Sequence, residues 1–275
     1  MDYTINKENA KRSLIIMNNF FQKNEDLKTA NIILPNSIKQ GSVEHFKYLF
    51  YSCMLNYGMK SKVLHENLKL LYEENPCLFN PEYVLDVYEH NMCALADLLR
   101  SKIHVRYPNQ SAKNWINLSK IILTKYNGNF NEIFINKQTY LEYQDAIFQL
   151  DGFGQKTGGL LLRMLIDEGF IKPLDGIAEI PIDRHDIDLC IWLEVINGIT
   201  AEDIKKSKEV IGKLSKIWVN VSNDLNISPS ITDQYLWIIG SKFCSKTQCN
   251  ICPLNSLCIN KAAKNNPCHH ALDDL

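Results

Sequence analysis

Residues 150–159 read LDGFGQKTGG and separate two segments in which apolar residues recur at helical spacing. The glycines at positions 152 and 154 permit a tight turn and close approach of the backbone to another molecule. Backbone amides at the start of the second helix then face outward and can receive a phosphate group. A glycine pair between helices also occurs in ordinary turns, so the stretch predicts a helical hairpin and allows a phosphate site.

Lys156 falls in the first turn of the helix that follows the glycines. A cation there opposes the helix dipole, and partial burial would add to this effect, so both favour the neutral amine. A neutral lysine amine is a nucleophile that can form a Schiff base. The alternative is a solvent-exposed lysine with no chemical role.

Asp183 stands in the stretch IPIDRH, residues 180–185, and is expected to begin a helix. Aspartate is a preferred N-cap, so a purely structural role is one interpretation. A capping carboxylate is also held ionised and oriented. It can therefore stabilise the positive charge that develops on a sugar as a glycosidic bond breaks.

The nine cysteines are unevenly distributed, and five of them lie between positions 244 and 268. Four have the spacing C-x4-C-x2-C-x5-C, namely Cys244, Cys249, Cys252 and Cys258. Such crowding in a reducing compartment indicates a metal centre, and both zinc and iron–sulfur clusters accept four cysteines. Disulfides or free thiols are the remaining alternative. The loop could also direct three lysines toward phosphate: Lys242, Lys246 and Lys261. No role is assigned to Cys268, His269 or His270.

Helical periodicity extends through most of the chain, and alternation with period two is rare. We therefore predict an all-α fold. The predicted helices are 6–23, 42–57, 60–73, 81–99, 109–126, 138–150, 156–168, 185–196, 201–223 and 230–242. We expect two lobes, one of residues 42–185 with the hairpin, the other of residues 1–41 and 186–275 with the cysteines.

Composition narrows the functional class. The 275 residues are 45% hydrophobic, enough for a real core, and the formal net charge is -1. That charge argues mildly against a nucleic-acid binder, although a local basic patch is what contacts phosphate. The chain has neither a long apolar run nor the form of a secretory signal at its start. We expect a cytoplasmic protein that meets no membrane.

Together these features resemble the endonuclease III family of helix-hairpin-helix DNA glycosylases. The resemblance rests on LDGFGQKTGG, on the segment IDRH at 182–185, and on the cysteine loop with CPLNSLC at 252–258. The segment 107–129 is also similar, with Asn109, Ala112 and Lys113 in the matching pattern. The similarity covers about residues 42–258, and the three motifs in this order are specific as a set.

The resemblance implies a two-lobed all-α fold flanking a DNA groove, a flipped damaged base and a C-terminal [4Fe-4S] cluster loop. Lys156 matches the family's catalytic lysine and Asp183 its aspartate. This implies a glycosylase with AP lyase activity, in which the lysine attacks the sugar C1′ and the resulting Schiff base undergoes β-elimination. The cysteine quartet would hold the cluster. The expected DNA contacts are Gly152, Phe153, Gly154, Gln155, Thr157, Asn56, Tyr57 and Arg184.

Three departures from the family pattern stand out. The first cysteine gap holds four residues where the family usually has six. Asp183 follows Lys156 by 27 positions, a longer connector whose insertion GFIKPLDGIAEIP could reshape the base pocket. The usual glutamine-bearing loop reads LNYGMKS here, so Asn56 or Tyr57 would fill the hole left by the flipped base. Tyr57 could stack there or pack in the core.

Several functions stay open at this point. The preferred lesion is expected to be an oxidised pyrimidine, with 8-oxoguanine and other lesions as alternatives. A monomer acting on double-stranded DNA with a damaged base or abasic site is the expected state, in the cytoplasm at the nucleoid. A helix-hairpin-helix protein that binds DNA without catalysis is the rival from another class. An electron-transfer protein is a third possibility.

Overall fold

The computed structural model describes residues 3–24, 32–57 and 59–260, and within them the chain is mostly helical, as predicted. Four residues considered above lie outside the described residues: Lys261, Cys268, His269 and His270. Within the described residues, no helix combines the length and apolar character needed to cross a membrane.

The elements follow one another as helices with two short strands. In chain order they are β1 Thr4–Ile5, α1 Lys7–Lys23, α2 Val43–Leu55, α3 Ser61–Glu74, α4 Pro81–Tyr88, α5 Met92–Ile103, α6 Pro108–Tyr126, α7 Tyr140–Phe148, α8 Gln155–Asp167, α9 Arg184–Trp192, β2 Ile196–Asn197, α10 Ala201–Lys206, α11 Lys208–Asp224 and α12 Pro229–Ile238. A π-helical segment, Ile239–Cys244, continues α12, and short 3-10 turns span Pro76–Phe79, Phe130–Phe134 and Cys249–Ile251.

Two predicted helices are wrong in extent, because each is a pair. The predicted helix 201–223 is broken at Ser207, whose side chain accepts a hydrogen bond from the Val210 amide and so caps α11. The predicted helix 81–99 is interrupted after α4, and α5 begins beyond Asn91. In both places the apolar periodicity continues through a polar residue that ends regular backbone hydrogen bonding. The strands, which the sequence made improbable, form a minimal antiparallel pair with Ile5 opposite Ile196.

The chain forms two compact units. Unit 1 comprises Met1–Thr29 and Ile177–Leu275, and unit 2 comprises Ala30–Gly176. The boundaries therefore lie before the predicted ones at 41/42 and 185/186. Residues ahead of α9 join unit 1 because Ile180 is buried in its core and donates its amide to Ser215 Oγ at 2.9 Å. Residues ahead of α2 join unit 2, where the Asn36 amide donates to Glu73 on α3.

The core of unit 1 forms where α1, α9, α11 and α12 pack together. Trp218 on α11 is fully buried, and its indole N–H donates to Cys190 Sγ on α9 at 3.3 Å. Phe21 on α1 stacks on Tyr235 of α12 with ring centroids 4.7 Å apart. Burial of such large side chains stabilises a fold by about 1.5–3 kcal/mol each. This core supports the start of α9, where Asp183 stands.

The core of unit 2 is rich in aromatic rings. Tyr51 on α2 lies 4.5 Å from Trp115 on α6, centroid to centroid, and Phe79 is 5.3 Å from the same indole. The Trp115 N–H donates to the Leu78 carbonyl oxygen at 3.0 Å, so the buried polar atom is paired. α2 packs against α8 in this unit. The hairpin between α7 and α8 is thereby fixed to a rigid interior.

Candidate DNA-binding and catalytic site

The predicted hairpin is present, with α7 and α8 joined by residues 149–154. Gly152 in the turn has φ +88°, and a Cβ there would lie 2.8 Å from Asn114 Nδ2 and 3.0 Å from Met54 Cγ. Gly158 lies inside α8, where a Cβ would come within 2.7 Å of the Phe148 ring. Position 152 therefore requires glycine both for its positive φ angle and because a side chain would clash with its neighbours. Position 158 requires glycine because α7 packs closely on α8.

Phe153 and Thr157 hold the turn from inside. The Phe153 side chain is 2% exposed and packs edge-on against Phe50. Thr157 Oγ1 accepts a hydrogen bond from the Gly154 amide at 3.2 Å and donates one to the Gly152 carbonyl oxygen at 2.9 Å. Phe153 and Thr157 were expected among the DNA contacts. Both side chains are buried, so a DNA contact at either residue would have to come from its backbone.

The start of α8 is open to a ligand. Gly154 is its N-cap and has no side chain with which to cap the amides of the first turn. Gly154, Gln155 and Lys156 are all exposed. The partial burial considered for Lys156 is therefore absent, because the second position of the helix points to solvent. Uncapped amides at the positive end of a helix form a favourable place for an anion.

An open cleft of about 760 Å³ runs beside the hairpin turn within unit 2. The hairpin residues from Leu150 to Thr157 form one wall. The other is formed by the end of α2 and the start of α6, including Met54, Leu55, Tyr57, Arg106, Tyr107 and Asn114. The cleft therefore brings Lys156 together with aromatic, apolar and amide side chains from two further elements.

Two tyrosines of this cleft are unusually exposed for their size. Tyr57 is 59% and Tyr107 is 46% exposed, and their ring centroids are 5.6 Å apart. The Arg106 guanidinium lies 5.5 Å from the centre of the Tyr107 ring. Core packing of Tyr57, the alternative interpretation, is wrong. Exposed aromatic rings with a neighbouring cation are suited to stacking on a nucleobase.

Amide side chains on one face of α6 border the hairpin turn. Gln110 donates to Asn114 Oδ1 at 2.7 Å, and Asn117 donates to Asp151 Oδ2 at 2.6 Å. The second bond ties the turn to α6, and the close approach of Asn114 to Gly152 adds a steric contact. α6 thus fixes the position of the turn. Asn56, the other candidate of the LNYGMKS loop, ends α2 and accepts a weak bond from Ser61 at 3.4 Å.

Asp183 is the N-cap of α9, as predicted. Its Oδ1 accepts hydrogen bonds from the amides of His185 at 2.7 Å and Asp186 at 3.2 Å. The residue is half-buried, so its carboxylate is oriented by the helix and still reaches solvent. Arg184, the first residue of the helix, is exposed. This arrangement suits a carboxylate whose charge is held in a fixed place.

Gly240 supports the start of α9 from the π-helical segment. A Cβ on Gly240 would lie 2.5 Å from the Cβ of His185. The segment and α9 therefore approach each other at a distance that only glycine permits. Neither residue was singled out in this role by the sequence.

The four clustered cysteines lie near one another in unit 1. Burial, and then the proximity of Cys252, Cys258 and Cys249, raises the pKa of the Cys244 thiol to about 12. Among the described residues, no disulfide joins any of these cysteines. Across residues 3–24, 32–57 and 59–260, no group of three or more His, Cys, Asp or Glu side chains is arranged to hold a metal ion. Four cysteine thiols are ligands that iron or zinc accepts, but among the described residues they are not arranged around a common metal position.

The structure thus divides the candidate residues between the units. Unit 2 carries the hairpin residues, Asn56, Tyr57 and Lys156, and unit 1 carries Asp183, Arg184 and the cysteines. The sequence reasoning missed Tyr107 and Arg106. An aromatic residue directly before the Pro108 that begins α6 was the available signal, since side chains at the ends of helices often line clefts.

The sequence matches no family model and no curated protein. Solved structures do match. A trapped endonuclease III–DNA covalent intermediate has a TM-score of 0.61 and 17% identity, covering 93% of this chain and 97% of that one.

Two further structures agree with this result. A thermostable thymine-DNA glycosylase has a TM-score of 0.58 and 12% identity, covering 92% of this chain and 98% of that one. The 8-oxoguanine DNA glycosylase of Thermotoga maritima has a TM-score of 0.51 and 15% identity, covering 86% and 98%. The chain therefore has the fold of the helix-hairpin-helix DNA glycosylases, as its sequence motifs predicted.

Proposed function

We propose that this protein is a base-excision DNA glycosylase with AP lyase activity, acting on double-stranded DNA that carries a damaged base or an abasic site. The observation that carries the proposal is the exposed Lys156 on the uncapped first turn of α8, inside a cleft with two exposed tyrosines. The fold shared with three DNA glycosylases supports it.

The open end of α8 would bind a DNA phosphate. Backbone amides and the helix dipole attract the anion without reading the base sequence. Gly152 and Gly154 allow the phosphate to approach the backbone, and the exposed Gln155 can add a side-chain contact. A formal net charge of -1 is compatible with this mode, because the attraction is local.

The tyrosine pair would fill the gap that a flipped nucleotide leaves in the duplex. Extrusion of a base costs a few kcal/mol in lost stacking and pairing. Stacking on an aromatic side chain returns about 1–3 kcal/mol per base. Tyr57 and Tyr107 are exposed and close enough together to act as one wedge, in place of the glutamine loop expected from the family.

Lys156 would perform the chemistry as a nucleophile. Its amine attacks C1′ of the flipped nucleotide and the base leaves with the electron pair of the glycosidic bond. The sugar ring then opens: the C1′–O4′ bond breaks, O4′ takes a proton and a C1′=N Schiff base forms with the lysine. Loss of a proton from C2′ expels the 3′ phosphate, which nicks the strand. Asp183, oriented at the start of α9 by its hydrogen bonds with the amides of His185 and Asp186, would stabilise the cationic sugar and help to activate the lysine.

We further propose a [4Fe-4S] cluster held by Cys244, Cys249, Cys252 and Cys258. The support is the donor chemistry of four neighbouring thiols in a loop with few buried apolar residues, among which Leu254 is 1% exposed. Such a cluster would cross-link residues 244–258. Iron and sulfide analysis of the protein purified without oxygen tests this, with about four of each per chain expected. Zinc in their place would overturn the assignment.

The decisive test is borohydride trapping on duplexes that each carry one lesion: thymine glycol, 8-oxoguanine, uracil or an abasic site. We propose an oxidised pyrimidine as the preferred base, so trapping on thymine glycol and on the abasic site is expected. Lys156→Ala should lose the covalent adduct. Lys125→Ala is the control, since Lys125 is also an exposed lysine of unit 2 and does not line the cleft.

The result also separates the alternatives. Trapping on 8-oxoguanine would change the lesion and leave the mechanism standing. Binding to DNA without any trapping would reduce Lys156 to a phosphate contact and indicate a non-catalytic helix-hairpin-helix protein. Loss of trapping in Lys125→Ala as well would point to damage to the fold.

A further inference from the structure

Asp186 is a second carboxyl group at the start of α9, and neither the motifs nor the proposed reaction uses it. It occupies the third position of the helix, where its Oδ2 accepts the Asp183 amide at 2.8 Å. The Asp183 carboxylate accepts the Asp186 amide in return. The two side chains therefore share one helix terminus in a reciprocal capping box.

The Asp186 side chain is buried, with 4% of its surface exposed. Among the described residues, no group forms a hydrogen bond with its Oδ1 within normal limits of distance and angle. A buried ionised carboxylate with an unpaired oxygen costs several kcal/mol, whereas the protonated acid avoids most of that penalty. The geometry therefore favours a proton on this group.

The surrounding charges act in the same direction. Burial is the largest cause that raises the pKa of Asp186 well above its usual value, followed by the negative charge of Asp183. Asp233 on α12 raises this pKa further, and the backbone hydrogen bond from Asp183 lowers it. The Cys190 thiol on the same helix is buried and has a raised pKa.

The other ionisable groups on the elements that pack on α9 belong to α12, to α10 and to the π-helical segment. They are Tyr235, Glu202, Asp203, Lys205, Lys206, Lys242 and Cys244. On α9 itself, Arg184 and Asp188 flank Asp186, and His185 packs on Gly240. The strongest charge effects on Asp186 come from the two aspartates.

We propose that Asp186 is held as a neutral carboxylic acid at physiological pH and acts as a positioning residue for Asp183, so that the pair carries a single negative charge located on Asp183. The neutral partner fixes the backbone of Asp183 through Oδ2 without adding a second repelling charge. The role of Asp186 in positioning a catalytic Asp183 rests on the proposed function. The protonation of Asp186 does not, and the first test measures protonation alone.

The first test is the pH dependence of stability, which involves no DNA. An aspartate whose folded pKa is raised ionises in the unfolded chain from about pH 4, while the folded chain stays protonated. The group therefore favours folding at lower pH, and its contribution becomes more unfavourable as pH rises from about 4 toward the folded pKa. Asp186→Asn replaces the carboxyl group with a neutral amide of the same shape, so it should remove this loss of stability at higher pH.

We expect the Tm of Asp186→Asn to exceed that of the unmodified protein by about 3 °C or more near pH 8, and the difference to shrink toward about pH 4. Asp203→Asn is the matched control, because Asp203 is the third residue of α10, its amide is capped by Thr200, and it is half-exposed. It should give no such pH-dependent gain. A lower Tm for Asp186→Asn near pH 8, or an equal difference at both pH values, would overturn the proposal.

Infrared difference spectroscopy provides a second, independent measurement. At neutral pH the protein should show the carbonyl stretch of a protonated carboxylic acid, and this band should vanish in Asp186→Asn and persist in Asp203→Asn. Its absence from the unmodified protein would contradict the neutral assignment. Abasic-site trapping by Asp186→Asn should persist at alkaline pH, where ionisation of Asp186 weakens the unmodified protein. A failure confined to that assay would count against the proposed function and not against the protonation.

Discussion

The first turns of α8 and α9 serve opposite purposes although both begin at residues singled out from the sequence. α8 begins at Gly154, which has no capping side chain, and presents Lys156 to solvent. α9 begins at Asp183, whose carboxylate takes two of the first amides, while Asp186 takes the amide of Asp183. The first turn of α8 is therefore open to an external anion, whereas the first turn of α9 is already occupied by the carboxylate of Asp183.

This difference shows how one local device serves two chemical roles. A helix N-terminus carries about half a positive charge whatever follows it. Where glycine leaves it open, a phosphate can complete it. Where aspartate closes it, the helix instead holds a carboxylate in a fixed orientation, ready to face a cation. The comparison makes specific predictions, because each end can be changed into the other kind.

The largest effect is expected from Asp183→Asn. Asparagine is as good an N-cap as aspartate, so α9 and the affinity for DNA should be retained. The negative charge is lost, and turnover on a lesion duplex should fall by about 100-fold or more. Single-turnover kinetics and a binding titration measure the two quantities. Unchanged turnover would mean that Asp183 only caps the helix.

A smaller effect is expected where α8 is seated on α7. Gly158→Ala would place a methyl group 2.7 Å from the Phe148 ring, and overpacking of this kind lowers the free energy of unfolding by about 1–3 kcal/mol. Denaturant unfolding measures the loss. Gly212→Ala in α11 is the matched control, since no atom beyond its own stretch of helix lies within 4 Å of the added Cβ and the helix should gain about 0.5–1 kcal/mol. Equal effects at both sites would contradict the steric argument.

The smallest effect is expected from Gly154→Asp, which tests the difference between the starts of α8 and α9 most directly. This change gives α8 the cap that α9 has, and the backbone at Gly154 accepts it without strain, since φ is −87° and the space around it is open. The new carboxylate would occupy the first amides of α8 and repel a phosphate. DNA affinity should therefore fall by about 10-fold for all DNA sequences, and the slope of log affinity against log salt concentration should decrease in magnitude by about one.

Gly154→Ala is the control for that change, because it adds a Cβ without a cap. Its DNA affinity should stay close to that of the unmodified protein, and its stability should change little. A loss in Gly154→Ala as large as in Gly154→Asp would show that the backbone approach matters and that the capping state of α8 does not.

Local chemistry is what the sequence by itself determined. The glycine turn, the helix that begins at Asp183 and the mostly helical fold follow from short-range rules of φ angle, capping and periodicity, and the structure has all of them. These features depend on residues within a few positions of one another. They can therefore be inferred without knowing which segments meet.

Properties that depend on distant segments were decided by the tertiary structure. The pairing of Tyr57 with Tyr107 joins residues 50 positions apart. The burial of Asp186 likewise depends on the packing of α9 against α12 and the elements around it. The sequence identifies Asp186 as a polar residue but does not reveal that it is buried, because burial depends on which other segments pack against it.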